Sequence, residues 1–265
     1  MLENSSNLFT AASGGVPILA IPFVDPSGAP QRFLTAYPNA VFGAVDIHTS
    51  SRFYAADVDA LIALGEDSGS HAYALIGWRH LQLGENLRLR DFENLLGVGG
   101  AVVDRVLVED HFVTRNQFHG VDLGLTGLWR QGPWTLEALA KITLGANRQT
   151  VDIGGTSRGL CGVTSPSGIF ALSSNSGTHG RSVFAFAPEG NVNLGYQVTR
   201  NFRLLVGYSF LYLSNVVRPG PQIDTTINPN LLSPATPGGP ARPAFQFRDM
   251  DFWAQGISLG GALTW

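Results

Sequence analysis

The sequence is short of charged residues and of cysteine. Aspartate, glutamate, lysine and arginine make up 14% of the 265 residues, compared with about a quarter in ordinary globular proteins. The one cysteine, Cys161, excludes an internal disulfide. It lies in a Gly/Ser-rich stretch with no histidine or asparagine placed to activate it, so we interpret it as a free thiol in a loop. The net charge of −3 gives no reason to expect nucleic acid as a partner.

Long apolar runs are missing, although 44% of the residues are hydrophobic. No stretch of about 18 consecutive apolar residues occurs, so the sequence predicts no transmembrane helix. The first residues, MLENSSNLFTAASGG, lack the basic start and apolar centre of a signal peptide. The apolar residues are instead spread over many short segments. This distribution is typical of a transmembrane β-barrel, and a large soluble β protein can share it.

Signatures of catalysis and of cofactor binding are also lacking. The six histidines form no HxxxH or HExxH pair, and no cluster has the spacing of metal ligands. The sequence holds no GxSxG nucleophile elbow, and GVGG at 97–100 lacks the third glycine of a dinucleotide-binding loop. The sequence therefore predicts a protein that is not an enzyme and has no cofactor or metal site.

What the sequence does contain is alternation of apolar and polar residues with a period of two, which indicates β-strands. Seven segments carry the pattern: 52–64, 72–83, 117–129, 134–146, 183–198, 202–214 and 251–265. Each is longer than the roughly 9–11 residues that cross a bilayer as a tilted strand.

The connections between these segments alternate strictly between short and long. The short ones are 65–70, 130–133 and 199–201, and the long ones are 83–116, 147–182 and 215–250. Outer-membrane barrels have short turns on the periplasmic side and long loops on the outer side. We therefore predict an antiparallel up-and-down transmembrane β-barrel, with about seven to eight strands in this chain.

The two faces of the segments differ in polarity. We expect the apolar face, which includes Phe184, Leu194, Val206 and Tyr208, to contact lipid and the other face to line the lumen. The charged residues predicted to face the lumen are Asp57, Asp59, Arg79, Asp122, Glu137, Lys141, Glu189 and Arg203. Side chains just fill a barrel of about 8–10 strands, so charges of both signs should pair there. Whether these pairs plug the lumen or leave a narrow solute path stays open at this point.

Aromatic residues stand near the ends of several segments. Amphipathic rings settle at the level of the lipid headgroups, and the residues predicted at the membrane interface are Trp129, Trp134, Tyr212, Trp253 and Trp265. The last segment, ISLGGALTW, is similar to the C-terminal signal by which the barrel-assembly machinery recognises outer-membrane barrels. We therefore expect the lipid bilayer and this machinery as partners, whereas the oligomeric state is not indicated.

Tracing the strands back from Trp265 at the periplasmic side places the start of the chain on the outer side. We expect residues 1–50 to be an irregular segment forming an outer loop, and residues 51–265 to form the barrel. Seven strands break the rule of an even strand number, so we expect an N-terminally truncated chain and an incomplete barrel. PILAIPFV and NAVFGAV are poor candidates for an eighth strand.

Four blocks of the sequence resemble the planctomycete-type outer-membrane β-barrel protein family. They are RNQFHGVDLGLTGLWRQGPWTLEALAKITLG (115–145), FAPEGNVNLGYQVTRNFRLLVGYSFLY (186–212), VVRPGPQID (216–224) and ARPAFQFRDMDFWAQGISLGGALTW (241–265). The resemblance implies a barrel in the bacterial outer membrane, and it implies no reaction and no defined substrate. Together with the charges predicted to face the lumen, it leads us to expect a structural wall or a narrow porin-like pore. It also implies further strands upstream of this chain. The alternative is a soluble β-barrel that binds a small apolar ligand in its interior.

Overall fold

The computed structural model describes residues 2–67, 69–159, 162–232 and 238–263. The chain forms eleven strands in these ranges, and short 3-10 turns occupy Gly220–Gln222 and Pro229–Leu232. The strands are β1 (Leu2–Ser13), β2 (Leu19–Val24), β3 (Pro30–Ala36), β4 (Val41–Asp67), β5 (Ser70–Leu96), β6 (Val102–Gln131), β7 (Trp134–Gly159), β8 (Val163–Ser165), β9 (Gly177–Thr199), β10 (Phe202–Val217) and β11 (Asp249–Leu263).

Eight long strands form one sheet in the order β1-β4-β5-β6-β7-β9-β10-β11, and all neighbours in it are antiparallel. The short strand β8 pairs with the last residues of β7, while β2 and β3 form a separate hairpin. The sheet curls through 276°. This architecture confirms the prediction of an all-β, antiparallel and incomplete barrel with about seven to eight strands.

The long strands extend much further than predicted. β6 has 30 residues and β7 has 26, and β5 and β6 are joined by residues 97–101 alone. The prediction of a long loop over 83–116 is therefore wrong, because most of this stretch belongs to β5 and β6. The turns after β4, β6 and β9 are short, as predicted. We call the end of the sheet at these turns the turn end, and the opposite end the far end.

The prediction of an irregular segment over residues 1–50 is also wrong. β1 pairs with β4 along its whole length, from Leu2 opposite Tyr54 to Ser13 opposite Gly43, and it runs towards the far end. The predicted domain boundary at residue 51 falls inside β4. β1 escaped prediction because its sequence, LENSSNLFTAAS, is mostly small and polar and lacks an apolar face.

Apolar residues fill the inside of the sheet near the far end. The β2–β3 hairpin lies there and is bonded to the chain after β10, since Val24 N donates to Thr225 O at 2.9 Å and Ile227 N donates to Val24 O at 2.8 Å. One cluster joins the hairpin, the loop after β8 and the strand walls. Its buried members include Phe23, Leu89, Phe112, Val151, Phe170, Leu172, Val217 and Ile227. A second cluster, nearer the turn end, contains Phe53, Leu81, Leu83, Phe118, Leu211, Leu213 and Val216.

Candidate functional site

The outer face of the strands near the turn end is apolar on every long strand from β4 to β11. On β7 the outward residues from Trp134 to Leu144 include Leu136 and Ile142, and all four of these large side chains are exposed. These residues span eleven positions, which is about the length that a tilted strand needs to cross a bilayer. Phe184 and Val206 face outwards as predicted, with 63% and 42% of their surface exposed.

This apolar surface ends at the same height on neighbouring strands. Register partners place Ala56, His80, His119, Ala146 and Phe184 side by side across β4, β5, β6, β7 and β9. We call this line of residues the boundary row, and the outward apolar surface between it and the turn end the apolar band. The outward residues of five strands change from apolar to polar at this one row, so the edge of the band is a property of the sheet and not of one strand.

β6 shows the change most clearly. Its outward side chains between the boundary row and the turn end are Val121, Leu123, Leu125 and Trp129. Its outward side chains on the far side of the row include Arg105, Glu109, His111, Arg115 and Gln117. Water solvates the second set, whereas the first set would expose a large apolar surface to water.

The predicted interface aromatics lie near the two edges of the apolar band. Trp129 and Trp134 flank the turn after β6, and the ring of Trp134 lies 4.6 Å from that of Tyr196. Tyr212 and Trp253 are register partners at the other edge. Trp265 lies outside the described residues. The position of these side chains at a membrane interface stays a prediction.

The inner face behind the apolar band holds charges of both signs. Six of the eight residues predicted to face the lumen form one network, which we call the ion network: Asp57, Asp59, Arg79, Asp122, Lys141 and Glu189. Arg79 pairs with Glu189, and its Nε lies 3.7 Å from Asp122 Oδ2. The members come from β4, β5, β6, β7 and β9, so the network ties five strands together on the inside.

Lys141 is the centre of this network. Its Nζ lies 2.6 Å from Asp57 Oδ2, 3.2 Å from Asp59 Oδ2 and 3.3 Å from Asp122 Oδ2. One oxygen from each of these three carboxylates lies within 4.8 Å of the other two, a spacing that could hold a metal ion. The ammonium group already occupies the position between them. Thr143 adds a hydrogen bond from Oγ1 to Asp122 Oδ1.

The other two residues predicted to face the lumen lie outside the network. Arg203 donates from Nε to Gln197 Oε1 at 3.1 Å, and Glu137 forms no ion pair with another described residue. Both stand closer to the turn end, where the inner face is more open to solvent. The sequence predicted which residue types share this face, but not which of them meet.

Sequence reasoning missed a buried carboxylate near the far end. Asp110 on β6 accepts hydrogen bonds from the backbone N–H groups of Ile169, Phe170 and Ala171, the last at 2.8 Å. Gly168 permits this approach, because a Cβ there would lie 1.8 Å from the Asp110 carboxylate. Burial raises the pKa of Asp110 to about 6, although the three N–H groups act in the opposite direction.

Further polar groups of the same inner surface were missed. Burial raises the pKa of Glu93 to about 7, and the adjacent charge of Asp91 adds to this shift. Arg218, beyond the end of β10, forms two bonds to the carboxylate of Glu85 at 2.7 and 2.9 Å. All of these partners except Arg218 lie in the stretch that was predicted to be a loop. Alternation does continue there, with the apolar residues on the opposite parity, and that shift of phase was the signal available in the sequence.

The fold and its two-faced strands define the chain as an antiparallel β-barrel protein with an incomplete barrel. The family model described as "Putative beta barrel porin-7 (BBP7)" matches residues 1–265, so the chain belongs to this family. This match confirms the assignment to a barrel family that the sequence blocks suggested. No curated protein and no solved structure matches the chain. Within the described ranges, no helix has the length and apolar character needed to span a membrane.

Proposed function

We propose that the chain is an integral β-barrel protein of the bacterial outer membrane that acts as a structural wall and carries out no catalysis. The observation that carries the proposal is the apolar band, whose edge follows one row of register partners across five strands. A hydrocarbon layer solvates such a band, and spanning sheets of this kind belong to outer-membrane barrels. The membership in a porin-type barrel family supports the same location.

A wall fits the inner surface better than an open pore does. The ion network lies at the height of the apolar band, and the Lys141 ammonium and Arg79 guanidinium are 3% exposed. Beyond the boundary row the interior is filled by packed apolar side chains, including Phe112 and Phe118, which have no exposed surface. A cavity of about 260 Å³ lies between the ion network and strands β10 and β11, but Asp57, Arg79 and Glu189 line it, and this charged lining argues against a small apolar ligand.

Membrane insertion can be tested with a matched pair of cysteines on β6. Leu123 lies in the apolar band, and Gln117 lies on the same face just beyond the boundary row. In a Cys161→Ser background, Leu123→Cys and Gln117→Cys are refolded into phosphatidylcholine vesicles and treated with a water-soluble maleimide. We expect residue 117 to react freely and residue 123 to be protected. Equal reaction at both positions would contradict insertion and favour a soluble barrel.

The wall and pore functions separate in planar bilayers. We expect the unmodified chain to raise no steady conductance after insertion, because the ion network links β4 and β5 to β7 and β9 on the inside of the sheet and apolar side chains pack beyond the boundary row. Lys141→Ala is a useful companion, since it removes the central cation without changing the outer face. Steady openings of the unmodified chain would overturn the wall function and leave the membrane location intact.

A further inference from the structure

The outer surface directly beyond the boundary row carries two arginines with a glycine between them. Arg52 on β4 is the register partner of Gly84 on β5, and Gly84 is the partner of Arg115 on β6. Neighbouring strands lie about 4.8 Å apart, so the two arginine Cα atoms are about 10 Å apart across the glycine. A Cβ at Gly84 would meet no other atom within 4 Å, which leaves a notch between the two side chains.

A shallow cavity of about 500 Å³ lies at this notch, and its lining includes Asn4, Arg52, Gln82, Asn86 and Arg115. Its charged outward side chains are both arginines, and its other outward side chains are amides and hydroxyls, which can donate hydrogen bonds, together with Val113. Glu85 also lies in the lining, but it belongs to the inner face and its carboxylate is paired with Arg218. The Nε of Arg52 donates to the neutral Asn4 Oδ1 at 3.2 Å, so this contact leaves its positive charge uncompensated.

Positive charge predominates in the two rows next to the boundary row. Arg148 adds a third guanidinium, as it is the register partner of Gln117 on β6. The other outward residues of these rows on the described strands β1 to β9 are neutral: Asn4, Tyr54, Gln82, Gly84, Gln117, Thr150, Gly180 and Ser182.

Outward carboxylates begin one row further from the band and have partners of their own. Asp152 accepts a hydrogen bond from Thr178 at 2.6 Å and lies 3.5 Å from His111. Glu109 pairs with both Arg88 and Arg90. Acidic and basic groups therefore alternate towards the far end, whereas the arginines next to the boundary row have no acidic partner among the described outward residues.

Aromatic rings lie directly beneath this basic surface. The rings of His80 and His119 stack at 4.3 Å, Trp78 stacks on His119 at 5.6 Å, and the ring of Tyr54 lies 6.1 Å from His80. Tryptophan and tyrosine settle at the level of the headgroups. The notch is thus at headgroup height, with the apolar band below it and water above it.

We propose that the notch at Gly84 binds the phosphate-bearing headgroup of an anionic lipid in the leaflet nearer the far end. This proposal rests on the proposed membrane location. Each of the two guanidinium groups can donate bidentate hydrogen bonds to phosphate oxygens. The acyl chains of the same lipid molecule then lie against the apolar band. A free phosphate ion would gain the first contact without the second, and for this reason the lipid is the better occupant.

Lipid selectivity tests the proposal. The chain is refolded into phosphatidylcholine vesicles that contain a trace of spin-labelled phosphatidic acid or spin-labelled phosphatidylcholine, and the motionally restricted fraction of each label is measured. We expect the chain to prefer phosphatidic acid, and the double variant Arg52→Gln/Arg115→Gln to lower that preference by roughly tenfold. Arg105→Gln/Arg158→Gln removes two outward arginines far from the band and should leave the preference unchanged.

Separate readouts distinguish failure of this proposal from failure of the membrane location. Maleimide protection at position 123 reports insertion in phosphatidylcholine alone. If insertion is intact and the chain shows no preference for phosphatidic acid, or if both double variants lose it equally, the lipid site is overturned and the wall function stands. If inorganic phosphate displaces the labelled lipid at equal concentration, the site binds free phosphate and the proposal is likewise overturned. A chain that does not insert overturns both.

Discussion

The two halves of the long strands distribute apolar and polar side chains between their faces in opposite ways. Between the turn end and the boundary row, Leu123 and Ile142 face outwards, while Asp122 and Lys141 face inwards. Beyond the boundary row, polar side chains face outwards and apolar ones such as Phe112 face inwards. The same strand therefore resembles a membrane barrel in one half and a soluble β-sandwich in the other.

The difference shows that two separate properties can be read from alternation. Alternation itself indicates a strand, whereas the parity of the apolar residues indicates whether the outer or the inner face is apolar. On β6 the odd-numbered residues are apolar from Val121 to Trp129, and the even-numbered residues Val106, Val108, Phe112 and Phe118 are apolar before them. The switch occurs without a break in pairing, since β6 follows β7 in continuous register from Leu107 to Gln131. The boundary row can thus be located from the sequence of one strand.

Replacing Lys141, the central cation of the ion network, should have the largest effect on this comparison. Lys141→Met leaves Asp57, Asp59 and Asp122 together without the ammonium, and breaking a buried ion pair costs about 3–5 kcal/mol. We expect the free energy of unfolding, measured by urea titration in lipid vesicles, to fall by about this amount. Glu137→Gln, on the same strand and face, is the control because Glu137 lies outside the network. A loss of similar size in the control would contradict the role of the network.

A cavity in the apolar core beyond the boundary row should have a somewhat smaller effect. Phe118 has no exposed surface and packs in the cluster with Phe53, Leu81 and Leu83, so Phe118→Ala should lower the free energy of unfolding by about 3 kcal/mol. Leu125→Ala on the same strand removes a side chain from the apolar band, where lipid can fill the space, and should cost much less. If Leu125→Ala were the more destabilising change, the assignment of core and lipid faces would be wrong.

A charge on the outer face should distinguish the two halves directly. Leu123→Arg places a guanidinium in the apolar band, and a charge on the lipid face of a barrel costs about 2–3 kcal/mol near the middle of the bilayer. Gln117→Arg, six residues away on the same face, lies in the polar half and should change stability little. Urea titration in vesicles measures both. Equal tolerance of the two arginines would mean that the boundary row is not a membrane edge.

Sequence reasoning succeeded where apolar residues of one parity face outwards. The faces of β7, β9 and β10 and the presence of charges of both signs on the inner face follow from counting in steps of two. It failed for residues 83–116, since a search for one constant apolar face ends at the boundary row while the strands continue. It also failed for β1, whose outer face is polar and is held by pairing with β4.

The candidate site was predictable in composition but not in connectivity. Asp57, Arg79 and Lys141 share the inner parity, which the sequence reveals. Their meeting with Glu189 depends on the stagger of five strands, which is fixed by the turns and by the whole sheet. The bond of Asp110 to the loop at 169–171 joins positions about 60 residues apart, and no local pattern predicts such a contact.

The smallest predicted effect is a dependence of stability on pH, and it arises only from the half of the strands between the boundary row and the far end. Burial raises the pKa of Glu93 from its ordinary value of 4.5 to about 7, so the folded chain binds this proton more tightly than the unfolded chain does. The stabilisation is complete below about pH 4.5 and is lost as the pH rises to about 7. We expect a decrease of roughly 2 kcal/mol in the free energy of unfolding across this window.

Glu93→Gln should flatten this dependence, because the amide keeps the neutral shape of the protonated acid. Asp110, with a pKa raised to about 6, contributes to the lower part of the same window in both proteins, so the difference between the two titrations isolates Glu93 together with its neighbour Asp91. Glu109→Gln is the control, since Glu109 is paired with Arg90 on the outer face. Urea titrations from pH 4 to pH 8 measure the slopes. A variant slope equal to that of the unmodified chain would show that the inner surface near the far end is hydrated, and the two halves of the strands would then differ less than their packing indicates.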